Sequence, residues 1–133
     1  MAERTGREIV VWVLQLVAGA ILLWAGSTKF AATAGNVFVF SELGMEPTGR
    51  IIIGLIEVSA AAMLLTSSYA AVGALFGFGT MCGAVIAHVS ILGFDVEGDG
   101  GIHVALLVAV LVSTATVVIS RRATLPLIGS TLE

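Results

Sequence analysis

Four long apolar segments follow one another along the chain, separated by polar or glycine-rich stretches. They are residues 9–28, 50–65, 70–92 and 102–120. An α-helix rises about 1.5 Å per residue, so about 20 apolar residues cross the roughly 30 Å of hydrocarbon in a bilayer. All four segments come near this length. The pattern therefore predicts an all-α fold, a four-helix transmembrane bundle.

Two alternatives to four mature spans stay open on pattern alone. The segment 50–65 is the shortest, and three spans would result if it did not cross, which would put the basic ends of the chain on opposite sides of the membrane. The first segment follows Arg4 and Arg7, as the core of a secretory signal would. Such cores have about 7–15 apolar residues, so the longer segment here is interpreted as a mature helix.

Composition supports lipid as the outer solvent. Of the 133 residues, 58% are hydrophobic and 11% are charged, whereas soluble domains are typically about 45–50% apolar and about 25% charged. The length predicts one domain, 1–133. The net charge of -3 forms no basic stripe, so no nucleic-acid partner is expected. The single cysteine, Cys82, excludes an intrachain disulfide and a CxxC motif.

The basic residues predict the orientation. Four arginines lie near the chain ends, while the opposite side of the bundle has two basic residues and five acidic ones. The arginines are Arg4, Arg7, Arg121 and Arg122; the other basic residues are Lys29 and Arg50; the acids are Glu42, Glu46, Asp95, Glu97 and Asp99. Because cytoplasmic loops are enriched in Lys and Arg, both termini are predicted to be cytoplasmic.

Two longer connections then face outward. Residues 30–49 include the apolar run 37–40, which is too short to span but could lie in the interface as a short helix or extended segment, in the position of a lid. Residues 93–101 form an acidic, glycine-rich loop, which is predicted to be mobile. Its alternating acids resemble a calcium site, but the loop lacks the twelve-residue spacing of an EF-hand, so no metal is expected.

Four ionisable residues, Lys29, Glu57, His88 and His103, fall inside or at the edge of the spans. A charge at bilayer depth costs at least about 2.5–3.5 kcal/mol unless it finds a partner. At about 100° per residue, three of them share a helix face with small or polar residues. Lys29 shares its face with Gln15, Ala18, Leu22, Ala25 and Gly26; Glu57 with Gly54, Ala60 and Ala61; and His88 with Gly73, Gly77, Thr80 and Ala84. All four are predicted to converge from four helices near the outer mouth of the bundle, as a binding pocket.

Each of these residues also has a purely structural interpretation. Lys29 could extend to the lipid headgroups, and His103 could be a solvated helix start. Glu57 and His88 could be a hydrogen-bonded pair that only fixes helix register. A second glycine pair, Gly79 and Gly83, lies on another face of the third span and leaves room for a contact with another subunit.

Catalytic templates are not found in the sequence. It contains no Gly-x-Ser-x-Gly, His-Glu-x-x-His, Walker or dinucleotide motif, so catalytic residues stay unknown. Two histidines are too few for an internal di-haem arrangement, although one histidine per subunit could ligate a haem between subunits.

Three sequence runs and a closing arginine pair carry a family resemblance. They are Trp24-Ala-Gly-Ser-Thr-Lys29-Phe30, Ile52-Ile-Gly-Leu-Ile-Glu57, Gly83-Ala-Val-Ile-Ala-His88 and Arg121-Arg122. Over about residues 8–122 the chain resembles the DoxX-like family of four-helix membrane proteins. The resemblance implies four spans, both termini inside, and a bacterial inner membrane. Some relatives are linked to quinone-coupled sulfur oxidation or to complexes that handle oxidative thiol stress. The lack of a cysteine pair argues against direct thiol exchange by this chain.

The leading hypothesis is a redox-associated membrane component. Glu57 and His88 would form a protonatable pocket for a quinone or another small lipophilic molecule, with Lys29 pairing with Glu57. The alternative is a non-catalytic accessory subunit that packs against a larger membrane protein complex or against its own copies. A transporter is disfavoured because the chain has no inverted repeat and no discontinuous helix.

Overall fold

The computed structural model describes residues 1–131, and these residues form helices and short turns, with no strand among them. The helices are α1 (Ala2–Phe30), α2 (Ala34–Glu42), α3 (Thr48–Leu64), α4 (Ala70–Ala87) and α5 (Ile102–Arg121). A π-helical turn (His88–Leu92) continues α4, and two 3-10 turns (Arg122–Thr124 and Gly129–Thr131) follow α5. The all-α prediction is confirmed. The last two residues of the predicted 1–133 domain lie outside the described residues.

The predicted segments agree with the four longer helices to within a few residues, except at the start of α1. The segment 70–92 matches α4 plus its π-helical turn, and 102–120 matches α5. The segment 9–28 was too short, because α1 begins at Ala2. Ahead of the apolar run, Ala2, the glutamates and the arginines are good helix formers and extend the helix beyond the apolar region despite Thr5 and Gly6. Within the connection 30–49, the short-helix alternative is the one found.

Among the described residues, three helices are long and apolar enough to cross a bilayer: Ala2–Phe30, Ala70–Leu92 and Ile102–Thr124. The remaining long helix, α3, has 17 residues and therefore reaches about 26 Å, somewhat less than the roughly 30 Å of hydrocarbon. The bilayer-spanning character of the chain thus rests on α1, α4 and α5.

The four longer helices pack in a ring in which α1 and α4 each contact both α3 and α5. Leu22, Leu64, Val110 and Val117 are fully buried at its centre. Small residues set the closest approaches, as is usual for membrane helices. A Cβ added at Gly26 of α1 would lie 2.8 Å from the carbonyl oxygen of Gly54 in α3. A Cβ added at Gly73 of α4 would likewise lie 2.8 Å from the carbonyl oxygen of Ala60.

The outside of the ring is covered with large apolar side chains. Exposed examples are Val10, Leu16, Leu23, Trp24, Leu55, Phe76, Ile86, Val112 and Ile119. A soluble monomer rarely exposes apolar patches larger than a few hundred Å². The exterior therefore suits contact with lipid, in agreement with the predicted bilayer partner.

Candidate functional site

A buried ion pair joins α1 to α3. Nζ of Lys29 lies 2.8 Å from Oε2 of Glu57, and their side chains are 10% and 3% exposed. Apart from this ammonium, no donor within residues 1–131 reaches that oxygen. The same ammonium donates to the carbonyl oxygen of Ala25 at 3.5 Å. The interpretation of Lys29 as a residue that extends to the headgroups is therefore wrong, and its predicted pairing with Glu57 is found.

The close approach of α1 and α3 explains why these two side chains meet. Gly26 precedes Lys29 by three residues, and Gly54 precedes Glu57 by three residues. Residues three apart lie on the same side of a helix. Because α1 and α3 run antiparallel, these two steps of three lead in opposite directions along the bundle. The absence of a side chain at Gly54 lets Lys29 pack against α3, with its Cβ 3.1 Å from where a Cβ of Gly54 would lie. The Lys29 side chain then runs back along α1, to 3.5 Å from the carbonyl oxygen of Ala25, where its ammonium meets the Glu57 carboxylate.

Arg50 secures the same end of α1. Its Nη1 donates to the main-chain carbonyl oxygen of Lys29, and its Nε donates to both carboxylate oxygens of Glu46 at 2.8 and 2.9 Å. A cation near the carbonyl end of a helix is favourable because of the helix dipole. In the sequence, Arg50 contributes only to the charge count that predicts the orientation. The spacing of four from Glu46 indicated an ion pair, but no local signal indicated a contact with α1.

The two histidines meet at the junction of α4 and α5. The imidazole of His88, which is buried, donates from Nδ1 to the carbonyl oxygen of Gly93 at 2.6 Å. Its ring centroid lies 5.2 Å from that of His103, with the ring planes at 50°. A neutral imidazole that donates from Nδ1 has an acceptor at Nε2. The alternative of a Glu57–His88 hydrogen-bonded pair is not found, because the carboxylate pairs with Lys29.

The start of α5 is held by Asp99 in the acidic loop. Its Oδ2 accepts from the main-chain N–H of His103 at 2.8 Å, and its Oδ1 accepts from Gly101 at 2.8 Å and from Val96 at 3.2 Å. These bonds, the one from His103 first, lower the pKa of the Asp99 carboxyl below its usual range. Asp99 therefore fixes the first turn of α5, which carries His103. Within residues 1–131, no group of three or more His, Cys, Asp or Glu residues is placed to hold a metal ion.

All four predicted pocket residues line one cavity of about 620 Å³. Lys29, Glu57 and His88 are buried, whereas His103 is exposed in the first turn of α5. The exposure agrees with the alternative of a solvated helix start, yet the His103 ring also lines the cavity beside His88. The structure thus brings the four residues together, from four different helices.

The short helix α2 covers part of this cavity, in the position predicted for a lid. Its Val39 and Phe40 line the cavity and are buried against Val96 of the acidic loop. Leu43, Ile53 and Leu92 complete this small apolar cluster. Within residues 93–101, Val96 packs against α2 and Asp99 forms hydrogen bonds to the start of α5. The mobility predicted for this loop stays a prediction.

Apart from the four predicted pocket residues and Asn36, Thr80 and Ser90, the cavity lining is apolar, and the cavity opens sideways. Trp24, Phe76, Ile86 and Ile91 line it, and each of these side chains is half or more exposed on the outside of the bundle. A molecule dissolved in the hydrocarbon could therefore reach the cavity without crossing water. Ligand sites commonly combine an apolar lining with a few polar groups that fix orientation.

A second polar cluster, which was not predicted from the sequence, lies at the other end of the bundle. Gln15 is fully buried; its Nε2 donates to the carbonyl oxygen of Leu64 at 2.8 Å, and its Oε1 accepts from Nε of Arg121 at 3.0 Å. Arg121 also donates to Glu8 at 3.2 Å, and its guanidinium lies 5.7 Å from the Trp12 ring centroid. The inward face of Gln15 was predicted correctly. A buried amide needs partners, but the sequence did not show that one of them would be Arg121.

Neither a protein-family model nor a curated protein nor a solved structure matches this chain. The DoxX-like resemblance of the sequence runs therefore stays a prediction. What the cavity can do follows from its own chemistry. An ammonium, a carboxylate and two imidazoles in an apolar enclosure offer donors and acceptors to a small molecule that has both polar and apolar parts.

Proposed function

We propose that this chain is a DoxX-like integral protein of a bacterial inner membrane, crossing the bilayer four times with both termini in the cytoplasm. The three longest helices have the length and apolarity of spans. The shorter α3 packs between α1 and α4 and exposes Ile51, Ile52 and Leu55 on its outer side. The excess of arginines at the chain ends supports the orientation.

Within this protein, the cavity binds a quinone or another small lipophilic carbonyl compound, as part of a redox-associated component of the membrane. The observation that carries the proposal is the convergence of Lys29, Glu57, His88 and His103 on one laterally open cavity. A quinone ring is apolar and carries carbonyl oxygens that accept hydrogen bonds. The ammonium of Lys29 is a donor for one such oxygen.

The histidines supply the other polar contacts. Because Nδ1 of His88 is bound to the carbonyl oxygen of Gly93, the ring is oriented and its Nε2 remains for a ligand. A ring nitrogen that carries a proton donates and one that does not accepts, so the imidazoles of His88 and His103 can contact either a carbonyl or a hydroxyl of a ligand. Glu57 keeps the charge of Lys29 compensated in the apolar enclosure.

A second candidate function is a non-catalytic accessory subunit of a larger membrane complex. One observation favours it: the polar groups find partners within the chain, Lys29 with Glu57 and His88 with Gly93. Residues that only specify a fold would show the same pairing.

The fluorescence of Trp24 separates these functions. Trp12 and Trp24 are the two tryptophans, and 12 residues of helix place them about 18 Å apart. In nanodiscs, the Trp12→Phe variant retains only Trp24, which lines the cavity. The Trp24→Phe variant retains only Trp12, which does not line it, and is the matched control. A quinone added to the bilayer is expected to quench Trp24 saturably and Trp12 only in proportion to its concentration. Glu57→Gln and His88→Ala should each weaken the saturable component about tenfold.

Equal, unsaturable quenching of both tryptophans would contradict quinone binding. Native mass spectrometry of gently solubilised membranes then tests the second candidate, which requires a defined protein partner and no bound small molecule. The thermal unfolding of each variant shows whether a loss of quenching reflects a loss of folding.

A further inference from the structure

One face of α4 forms the side wall of the cavity. Phe76, Gly79, Gly83 and Ile86 follow one another at spacings of three, four and three residues, which places them in a single row along the helix. All four line the cavity. The row ends next to His88, where the polar groups are.

The two glycines of this row face open space. A Cβ added at Gly79 or Gly83 would meet no atom within 4 Å. By contrast, a Cβ added at Gly73 would lie 2.7 Å from Cβ of Met63, and one at Gly77 would lie 3.0 Å from Cδ1 of Leu22. Gly79 and Gly83 are therefore not used for helix packing within the chain. It leaves a groove beside the α4 backbone, bordered by Phe76 and Ile86.

The groove is long and polar at one end only. From Phe76 to His88 the helix rises about 18 Å. Near Phe76 the lining side chains are apolar, among them Ile21, Leu22 and Leu75. The hydroxyl of Thr80, which also lines this part, donates to the carbonyl oxygen of Gly77 at 2.9 Å and is already satisfied. A single ring would fill only the polar end of such a cavity.

We infer that the occupant is a tailed amphiphile, a lipid quinone whose ring lies between Lys29 and His88 and whose isoprenoid chain lies along Gly79 and Gly83. This inference rests on the proposed function. The tail would leave the bundle beside Phe76, which is 50% exposed. A tail fits better than a helix from a second copy, because the groove is continuous with the enclosed polar cavity, which a docked helix would not enter.

Filling the groove tests this inference. Because a Cβ at Gly79 or Gly83 meets no atom within 4 Å, leucine at either position is expected to extend into the groove without disturbing the fold. Gly6→Leu is the matched control, since Gly6 is also an unobstructed helical glycine but does not line the cavity. Two quinones with the same ring, one with a long isoprenoid chain and one with a methyl group, are added to the Trp12→Phe protein. Their concentrations are expressed as moles of quinone per mole of lipid. Saturable quenching of Trp24 measures the binding.

Gly79→Leu and Gly83→Leu are expected to weaken binding of the long-chain quinone at least tenfold and to leave the methyl quinone unchanged. Gly6→Leu should alter neither. The tail inference is overturned, with the proposed function intact, if both quinones bind and the leucine variants affect neither or affect both equally. It is also overturned if the variants break a dimer without changing long-chain binding. If neither quinone binds the starting protein, the proposed function fails and the tail inference fails with it.

Discussion

Lys29 and Glu57 are each unfavourable in an apolar bundle, and each compensates the other. The inward direction of both was predictable, because small residues share their helix faces. Their contact depends on the crossing of α1 and α3 at Gly26 and Gly54, which is a tertiary feature. The bond from His88 to the carbonyl oxygen of Gly93 was not predictable, because it depends on the π-helical turn at the end of α4.

Removing one member of the Lys29–Glu57 pair should destabilise the protein more than removing both. Lys29→Met leaves a buried carboxylate without its partner, and Glu57→Gln leaves a buried ammonium without its partner; breaking such a pair costs about 3–5 kcal/mol. The double variant Lys29→Met, Glu57→Leu buries no charge and should recover most of this loss. Thermal unfolding in detergent measures all three.

The same three variants also separate stability from binding. The double variant is expected to fold but to lose the saturable quenching of Trp24 by quinone, because its cavity lacks the ammonium. Single variants as stable as the starting protein would show that the pair contributes little to the fold. A double variant that stays as unstable as the single ones would point to a requirement for the charges themselves.

At the scale of elements, apolar run length predicted α4 and α5 almost to the residue, because Gly93 follows the π-helical end of α4 and Gly101 precedes α5. The start of α1 was missed because its first turns are charged, and helix formation there does not depend on apolar pattern. The connection 30–49 allowed two conformations, because the apolar run 37–40 is too short to show a helical period. The helix that forms, α2, is fixed by its contact with Val96.

The carboxylate of Asp99 should stabilise the start of α5 in a pH-dependent way. Its pKa is lower in the folded protein than the ordinary value of about 3.9. The stabilisation is therefore complete above the ordinary value and is lost as pH falls through the lower folded value. Hydrogen exchange of residues 101–105 should be faster in Asp99→Ala than in the unaltered protein at neutral pH, and the difference should disappear in acid.

Asp95→Ala is the control for this measurement. Asp95 lies in the same loop, but its carboxylate accepts only one main-chain hydrogen bond among the described residues, from Gly100 at 3.0 Å. Its removal should leave the exchange of residues 101–105 unchanged. Equal acceleration by both variants would mean that general loosening of the loop, rather than the bonds of Asp99, sets the exchange rate.

For the whole molecule, the number of crossings decides which side of the membrane carries the cavity. With four spans and the charge-based orientation, both ends of the chain are cytoplasmic, and α2 with the loop 93–101 lies outside. If α3 did not cross, the link between α3 and α4 would lie outside, and both the loop 93–101 and the C-terminal region would exchange sides. The two arrangements differ at three places along the chain, so labelling can distinguish them.

Cysteine accessibility therefore tests the four-span topology. In a Cys82→Ser background, single cysteines are placed by Thr5→Cys, Ser68→Cys, Asp95→Cys and Ser130→Cys, all at exposed positions. Four spans with cytoplasmic termini predict that a membrane-impermeant maleimide labels only Asp95→Cys in intact cells, and the other three after permeabilisation. Labelling of positions 68 and 130, but not 95, from outside would show three spans. Labelling of positions 5 and 130 together from outside would show four spans in the opposite orientation. Only the first pattern places Lys29, Glu57, His88 and His103 in the outer leaflet, where a quinone would enter from the outer half of the bilayer.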